Sequence, residues 1–166
     1  PLSLTFPLAD RITAPIRYTG TVGPRPAAGI QHGYAAIVSA GGGVVGEKLL
    51  ATAVAARGLS PLADAPWLVP NLPDEAFTRL QEAAKAAGPG VTIERAVRDL
   101  ASFMASAQVS ISQAGYNTVA DVLASGCAAV LCPFAAGGET GETAGATALA
   151  AVREADGGSD EEPADH

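Results

Sequence analysis

Ser112, Gln113, Ala114, Gly115, Tyr116, Asn117 and Thr118 stand in a row where a short apolar run gives way to a helix-like segment, and Asp121 follows one turn later. A glycine at such a seam lets a ligand approach the backbone. The helix opening there offers unpaired N–H groups at the positive end of its dipole. Asn117 or Thr118 can cap that helix or bond a phosphate. On a helical wheel Val119, Val122 and Leu123 form one apolar stripe, while Asn117 and Asp121, four apart, share the opposite face. A carboxylate so placed beside strand ends can accept two hydrogen bonds from ribose hydroxyls. The chemistry that fits is the holding of the phosphates and ribose of a nucleotide-linked substrate. On these residues alone the plainer alternative stays open: a solvated helix acid beside a capping asparagine.

A second seam, Ser39 to Gly46, reads S-A-G-G-G-V-V-G and also follows an apolar run. It lacks the Lys-Ser/Thr pair of a P-loop and the spacing of a strict G-x-G-x-x-G, so a tight structural turn competes with a phosphate-binding role for Gly42 and Gly43. His32 reads as a surface residue, Arg95 and Arg98 as exposed arginines that could meet phosphate, and Trp67 as core. With His32 and His166 the only histidines, no Ser-His-Asp set can be assembled, and no metal cage is expected.

The elements that must position these seams follow from periodicity. Short apolar runs at 34–40, 66–71, 91–94, 108–112 and 127–133 read as strands. Between them, 46–58 carries Leu49, Leu50, Ala53 and Val54 at helical spacing. The 74–88 segment has Asp74 as an expected cap and Phe77, Leu80 and Ala84 on one face, 98–107 reads as a short helix, and YNTVADVLASG as the next. A last helix is expected from Glu142 towards Ala155. Strands alternating with helices indicate a parallel sheet covered on both faces, a Rossmann-like three-layer α/β domain. Residues 1–30, rich in Pro, Gly and Thr, read as a linker, 31–152 as the domain, and 153–166 as an acidic flexible tail.

Composition narrows the function. The formal charge is −7, and the last fourteen residues hold six acids against one arginine. A chain of that charge is not suited to broad nucleic-acid binding, which needs a basic surface. Cys127 and Cys132, five apart in one strand, would face opposite sides of the sheet and cannot bridge. No membrane span or signal peptide is read, and a reducing, cytoplasmic setting is expected.

The run SISQAGYNTVADVLASGCAAVLCPF followed by ET resembles the nucleotide-sugar-binding half of the MurG-like glycosyltransferases, and IVSAGGGVVGEKLL resembles the glycine loop that opens the same domain. PLADRITAPIRYTG resembles the segment leading into it. The likeness runs to about residue 150. It implies one half of a GT-B architecture: the C-terminal, donor-binding domain, completed by an N-terminal acceptor domain or a partner subunit that supplies the general base. The donor implied is a nucleotide-sugar, UDP-linked, used without metal or other cofactor. By motif, Gly42 and Gly43 would approach the diphosphate and the Val97 backbone would pair with the base edge. Ser112, Gln113, Gly115, Asn117 and Thr118 would border phosphates and sugar, and Asp121 stands where the family has a ribose-binding Glu. Where the family has E-T-E-Q, this chain has Glu139-Thr140-Gly141-Glu142, so the amide that would hold the sugar's hydroxyls is replaced by a carboxylate. Peripheral membrane association of a full-length enzyme is implied as well. A non-catalytic interaction module, or a separate subunit that needs a partner to complete the cleft, is the alternative. A sugar-nucleotide epimerase fits less well, for want of acids and a histidine in the cleft.

Overall fold

Every strand among the described residues runs the same way, because a helix after each of the first four carries the backbone back to the start of the next. In the computed structural model, which describes residues 2–4, 6, 8–20, 22–23, 25–29, 31–40 and 46–134, five strands form one parallel sheet. They are β1 Ala36–Ser39, β2 Trp67–Val69, β3 Val91–Ile93, β4 Val109–Gln113 and β5 Ala129–Cys132, interleaved with α1 Glu47–Ala56, α2 Asp74–Ala86, α3 Leu100–Ala105 and α4 Tyr116–Ser125. The spatial order is β3-β2-β1-β4-β5. The chain therefore builds outward from β1 through β2 to β3, then returns to the other side of β1 for β4 and β5.

That reversal puts α1 and α2 on one face and α3 and α4 on the other. On the first face Ala36 and Val38 of β1 pack with Leu50, Ala53 and Val54 of α1 and with Ala76, Leu80 and Ala84 of α2. On the second face Ile37 and Leu68 pack with Met104 of α3, Val122 of α4 and Cys127. β1 and β2 are buried on both faces, hence their continuous apolar runs. Cys132 ends β5, Cys127 lies two residues before that strand begins, and the two form no disulfide.

The lower end of the sheet is tied by a buried arginine. Arg57 donates to the carbonyl of Ala65 at 3.0 Å and of Ala87 at 3.4 Å, and Trp67 Nε1 donates to Leu62 O at 2.9 Å. The segment before β1 lies against the second face. Ala27 N–H donates to Ser102 Oγ at 2.7 Å, His32 N–H to Ser106 Oγ at 3.4 Å, and the His32 ring stacks on Phe103 with centroids 3.6 Å apart. His32 is thus half-buried against α3 rather than a surface residue.

Two expectations are corrected. Asp74 is not the cap of α2: Pro73 occupies that position, and Asp74 turns its carboxylate to Arg95 instead. The buried line of α4 runs through Thr118 and Val122, whereas Leu123 is 44% exposed and Val119 half-buried. The register explains the shift. Ser110 and Ser112 of β4 share a face with Ile37 and Ser39, so α4 meets a sheet lined there with small hydroxyl side chains, which suits threonine better than leucine. The expected helix from Glu142 lies outside the described residues.

Leu80, 1% exposed, fills the space between α2 and the sheet. Leu80→Ala is expected to lower the unfolding free energy by about 2–5 kcal/mol, read as a fall in the urea midpoint at unchanged slope.

Candidate functional site

Where strand order reverses, the helices leaving two neighbouring strands depart to opposite faces and leave a crevice at the carboxyl ends of those strands. Here the pair is β1 and β4, in register with Ser39 beside Ser112. The two seams singled out in the sequence follow these strands, so the fold brings their roots side by side. Gly46, at the start of α1, touches both: a Cβ there would lie 1.9 Å from Ala40 Cβ and 3.2 Å from Gln113 Oε1. Glycine at 46 is required by this close approach rather than by its dihedrals, since φ is −86°.

Both helices that flank the crevice begin on glycine. Gly46 caps α1 and Gly115 caps α4, and neither start is closed by a side-chain hydrogen bond. The expectation that Asn117 or Thr118 caps α4 is therefore corrected: Gly115 takes that position, and they fall in the first turn. The N–H groups of that turn have no intrahelical acceptor and point out of the helix end. α3 differs, since Asp99 closes it by accepting from Ser102 N–H at 3.3 Å and from Ser102 Oγ at 2.5 Å. At α1 the acid Glu47 sits beside the helix start, where its charge would oppose an anionic ligand. Arg79 of α2 holds it with two bonds of 2.5 and 2.7 Å, and this pairing lowers the Glu47 pKa and raises that of Arg79. The pair cancels the charge at the crevice edge.

On the α1 side a hollow of about 320 Å³ is lined by Gly46, Lys48, Leu49, Gln113, Cys132 and Phe134, with Thr52 and Pro133 completing it. On the α4 side stands Asp121, half-buried. Burial first, and the nearby Asp99 carboxylate second, raise its pKa. The Asp99 carboxylate at the head of α3 is close enough to act on it through charge. The Val97 N–H is engaged with Asn71 Oδ1 at 2.6 Å.

The structure thus gathers Gln113, Gly115, Asn117 and Asp121 around the end of β4 and the start of α4. Ser112, on the last-but-one residue of the strand, and Thr118 are buried beneath them, and Ser112 Oγ shares a 2.6 Å hydrogen bond with Ser110 Oγ. Gly42, Gly43, Glu139 and Glu142 lie outside the described residues. Arg95 is stacked 4.0 Å over the Phe77 ring as well as paired with Asp74. Lys48, Asn71, Asp99 and the Glu47–Arg79 pair were missed in the sequence. Asn71, set between prolines in P-N-L-P, carried a turn signal, and Asp99, directly before L-A-S-F-M, carried a helix-cap signal. Among the described residues no cluster of three His, Cys, Asp or Glu could hold a metal ion, and no helix is long and apolar enough to cross a membrane.

Comparison with known proteins gives a consistent picture. Residues 76–152 match the glycosyltransferase family 28 C-terminal domain. The chain is 30% identical over 132 residues to the UDP-N-acetylglucosamine–N-acetylmuramyl-(pentapeptide) pyrophosphoryl-undecaprenol N-acetylglucosamine transferases of Bordetella pertussis and Bordetella parapertussis. The match covers 78% of this chain and 37% of each relative, so the chain spans little more than a third of their length. The crystal structure of MurG from Acinetobacter baumannii superposes with a TM-score of 0.57 over 70% of this chain and 33% of that one, at 22% identity. It shares the fold.

Two outcomes are expected from this geometry. Gly46→Ala forces a methyl group into Ala40 and should cost about 1–3 kcal/mol of stability, measured by urea unfolding. Asp121→Asn should raise the melting temperature at pH 7. The native state holds the Asp121 proton to a higher pH than the unfolded chain does, so ionisation destabilises the fold as pH rises from about 3.8 through the raised value. The gain in the variant should shrink to nothing once the pH falls below that range.

Proposed function

We propose that the glycosyltransferase family 28 C-terminal domain carried by this chain, MurG-like in sequence and fold, binds the nucleotide-sugar donor of a glycosyl transfer. The observation that carries this reading is the pair of glycine-capped helix starts at the strand-order reversal, neither of them closed by a side chain. Such ends stabilise negative charge through N–H groups and dipoles already in position. A diphosphate is a ligand that can use both.

The donor is a UDP-linked hexose in this reading. The Bordetella relatives are named as transferases that use UDP-N-acetylglucosamine, which supports the choice of nucleotide. Gly115 and the first turn of α4 take the phosphates, with Gln113 and Asn117 at their side, and by motif Gly42 and Gly43 also serve the diphosphate. Asp121 accepts from the ribose hydroxyls, and Val97 offers backbone to the base. Ser112 and Thr118, being buried, support the floor of the site. Glu139 and Glu142 border the sugar. When the glycosidic bond to the diphosphate breaks, negative charge grows on the departing oxygen, and the α4 N–H groups meet it there. Since these groups supply that stabilisation, the reading asks for no metal.

Acceptor binding and the general base are placed outside this chain. The relatives are more than twice as long, and the leading segment here holds Phe6, Leu8, Ile12, Ile16, Tyr18 and Val22 exposed, suited to cover by further protein. The chain alone should bind donor without turnover.

Calorimetric titration with UDP-, GDP- and dTDP-sugars in the presence of a chelator tests this, and the UDP-sugar is expected to bind. Asp121→Ala should weaken it by about 2–3 kcal/mol through lost charge-assisted hydrogen bonds. Because the ribose contacts need the carboxylate form, affinity for the wild type should rise with pH through the raised Asp121 pKa and level off above it. No heat from any sugar nucleotide, in a folded sample, would remove the reading.

A further inference from the structure

The sheet ends in a free edge at β3. Trp67 N–H donates to Gly90 O at 2.7 Å, and Glu94 N–H donates to Val69 O at 3.0 Å. Backbone groups of a strand alternate in direction, so Thr92, between these two, also turns its N–H and C=O towards β2. Val91 and Ile93 turn theirs the other way, where no described residue bonds to them. This edge is the one remote from β5, beyond which the chain runs on.

Natural edges are guarded by lysine, proline, a bulge or a covering element. Val91-Thr92-Ile93 carries none of these guards: it pairs with Trp67–Val69 residue for residue, and no described strand lies outside it. Arg95, the nearest cation in sequence, is engaged with Phe77 and Asp74 of α2. Both ends of the strand are also rigid. At the start, Arg57 donates to Ala65 O and Ala87 O, and Gly90, with φ of +98°, lies so close that a Cβ there would be 2.6 Å from Arg57 Nη2. At the finish the Glu94 bond holds the backbone to β2. Order already present lowers the entropic cost of association.

Beside this edge, on the first face, lies a hollow of about 510 Å³ lined by Gln81, Ala84 and Lys85 of α2 and by Val91 and Ile93. The cation on its rim is balanced, since Lys85 is paired with Glu82 at 2.7 Å. We infer that the β3 edge is a self-association surface, on which a second copy of this chain adds its own β3 antiparallel, about a two-fold axis through Thr92. The placement of the free groups selects a copy as the occupant. Val91 and Ile93 stand symmetrically about Thr92, so each Val91 meets the other copy's Ile93 and exchanges N–H···O=C bonds with it. The axis is normal to the sheet, which keeps both first faces on the same side. Side chains of the second copy's Val91 and Ile93 then enter the hollow. Because α2 lies over β2 and β3, the two α2 helices come to rest two strand spacings apart, about 9–10 Å. Packed helices keep a separation of about 8–10 Å. The β1–β4 crevice stays open in both copies, and the inference stands whether or not a nucleotide binds there.

Sedimentation velocity of the whole chain over a range of concentrations tests this, and the wild type should pass from monomer to dimer as concentration rises. Amide hydrogen exchange should find Val91 and Ile93 protected in the dimer and unprotected on dilution. Thr92 and Glu94, whose N–H groups face β2, should be protected throughout. Thr92 meets its own copy in this register, so Thr92→Lys sets two like charges opposite each other, and Thr92→Glu does the same. Each should weaken association about five- to tenfold, and an equal mixture of the two should restore it by pairing opposite charges. A wild type that stays monomeric at about 1 mM overturns the inference, whether the edge then accepts a strand from another protein or none. So does a dimer that Thr92→Lys leaves unweakened, or a mixture that associates no better than its parts. The exchange pattern, read on the wild type alone, decides the matter should either variant fail to fold: Val91 and Ile93 amides that exchange alike at all concentrations overturn it.

Discussion

The parallel pairing of β1 with β4 is the constraint on which the rest of the molecule depends. These strands meet at the centre of the sheet, yet the chain approaches them from opposite directions. Helices that follow them must leave on opposite faces, because right-handed crossovers allow no other course. A gap at the strand ends follows from that handedness, and no side chain has to be arranged to open it. The sequence then determines what the gap is made of. Glycine begins both helices, and Gly46 lets α1 close down on Ala40 and Gln113.

Charge around the gap is handled by pairing on one side and left in tension on the other. Glu47 is neutralised by Arg79, so the α1 start keeps its positive end despite an acid beside it. Among the described residues no cation pairs with Asp121, which stands near a second carboxylate, Asp99. An arrangement that costs stability in the empty protein is the kind that a ligand with hydroxyl donors relieves. Asp99 cannot turn away, since both of its oxygens are committed to Ser102 at the head of α3.

Much of this was legible from residue patterns, and the parts that were not have a common cause. The five strands and four helices of the described chain are where the apolar runs and glycine or proline boundaries put them, and β1 and β2, buried on both faces, leave the most unbroken apolar mark. The seams after Ser39 and Gln113 were visible as glycines at strand ends. What failed was helix rotation and capping. The wheel of α4 favoured Leu123 over Thr118 by hydrophobicity, whereas the small serines of β4 decided the packing. Asp74 has the right residue type for a cap, but Pro73 already supplied an extended backbone there and Arg95 gave the carboxylate another partner. Asn71 acts through a hydrogen bond to Val97, 26 positions away, and Asp99 through its charge on Asp121, 22 positions away, neither of which a linear reading reveals.

The separation of the two central strands has a kinetic meaning. Ser39 and Ser112 are neighbours in space and 73 positions apart in sequence. During synthesis no nascent chain that stops short of β4 can contain the crevice, so its walls exist only after most of the domain has been made. Joining them closes the largest loop among the strand pairings, an entropic cost that grows slowly with loop length but must be met before the contacts are gained. A molecule that lodges between those walls would favour the joined state by mass action and act as a late-stage template for assembly.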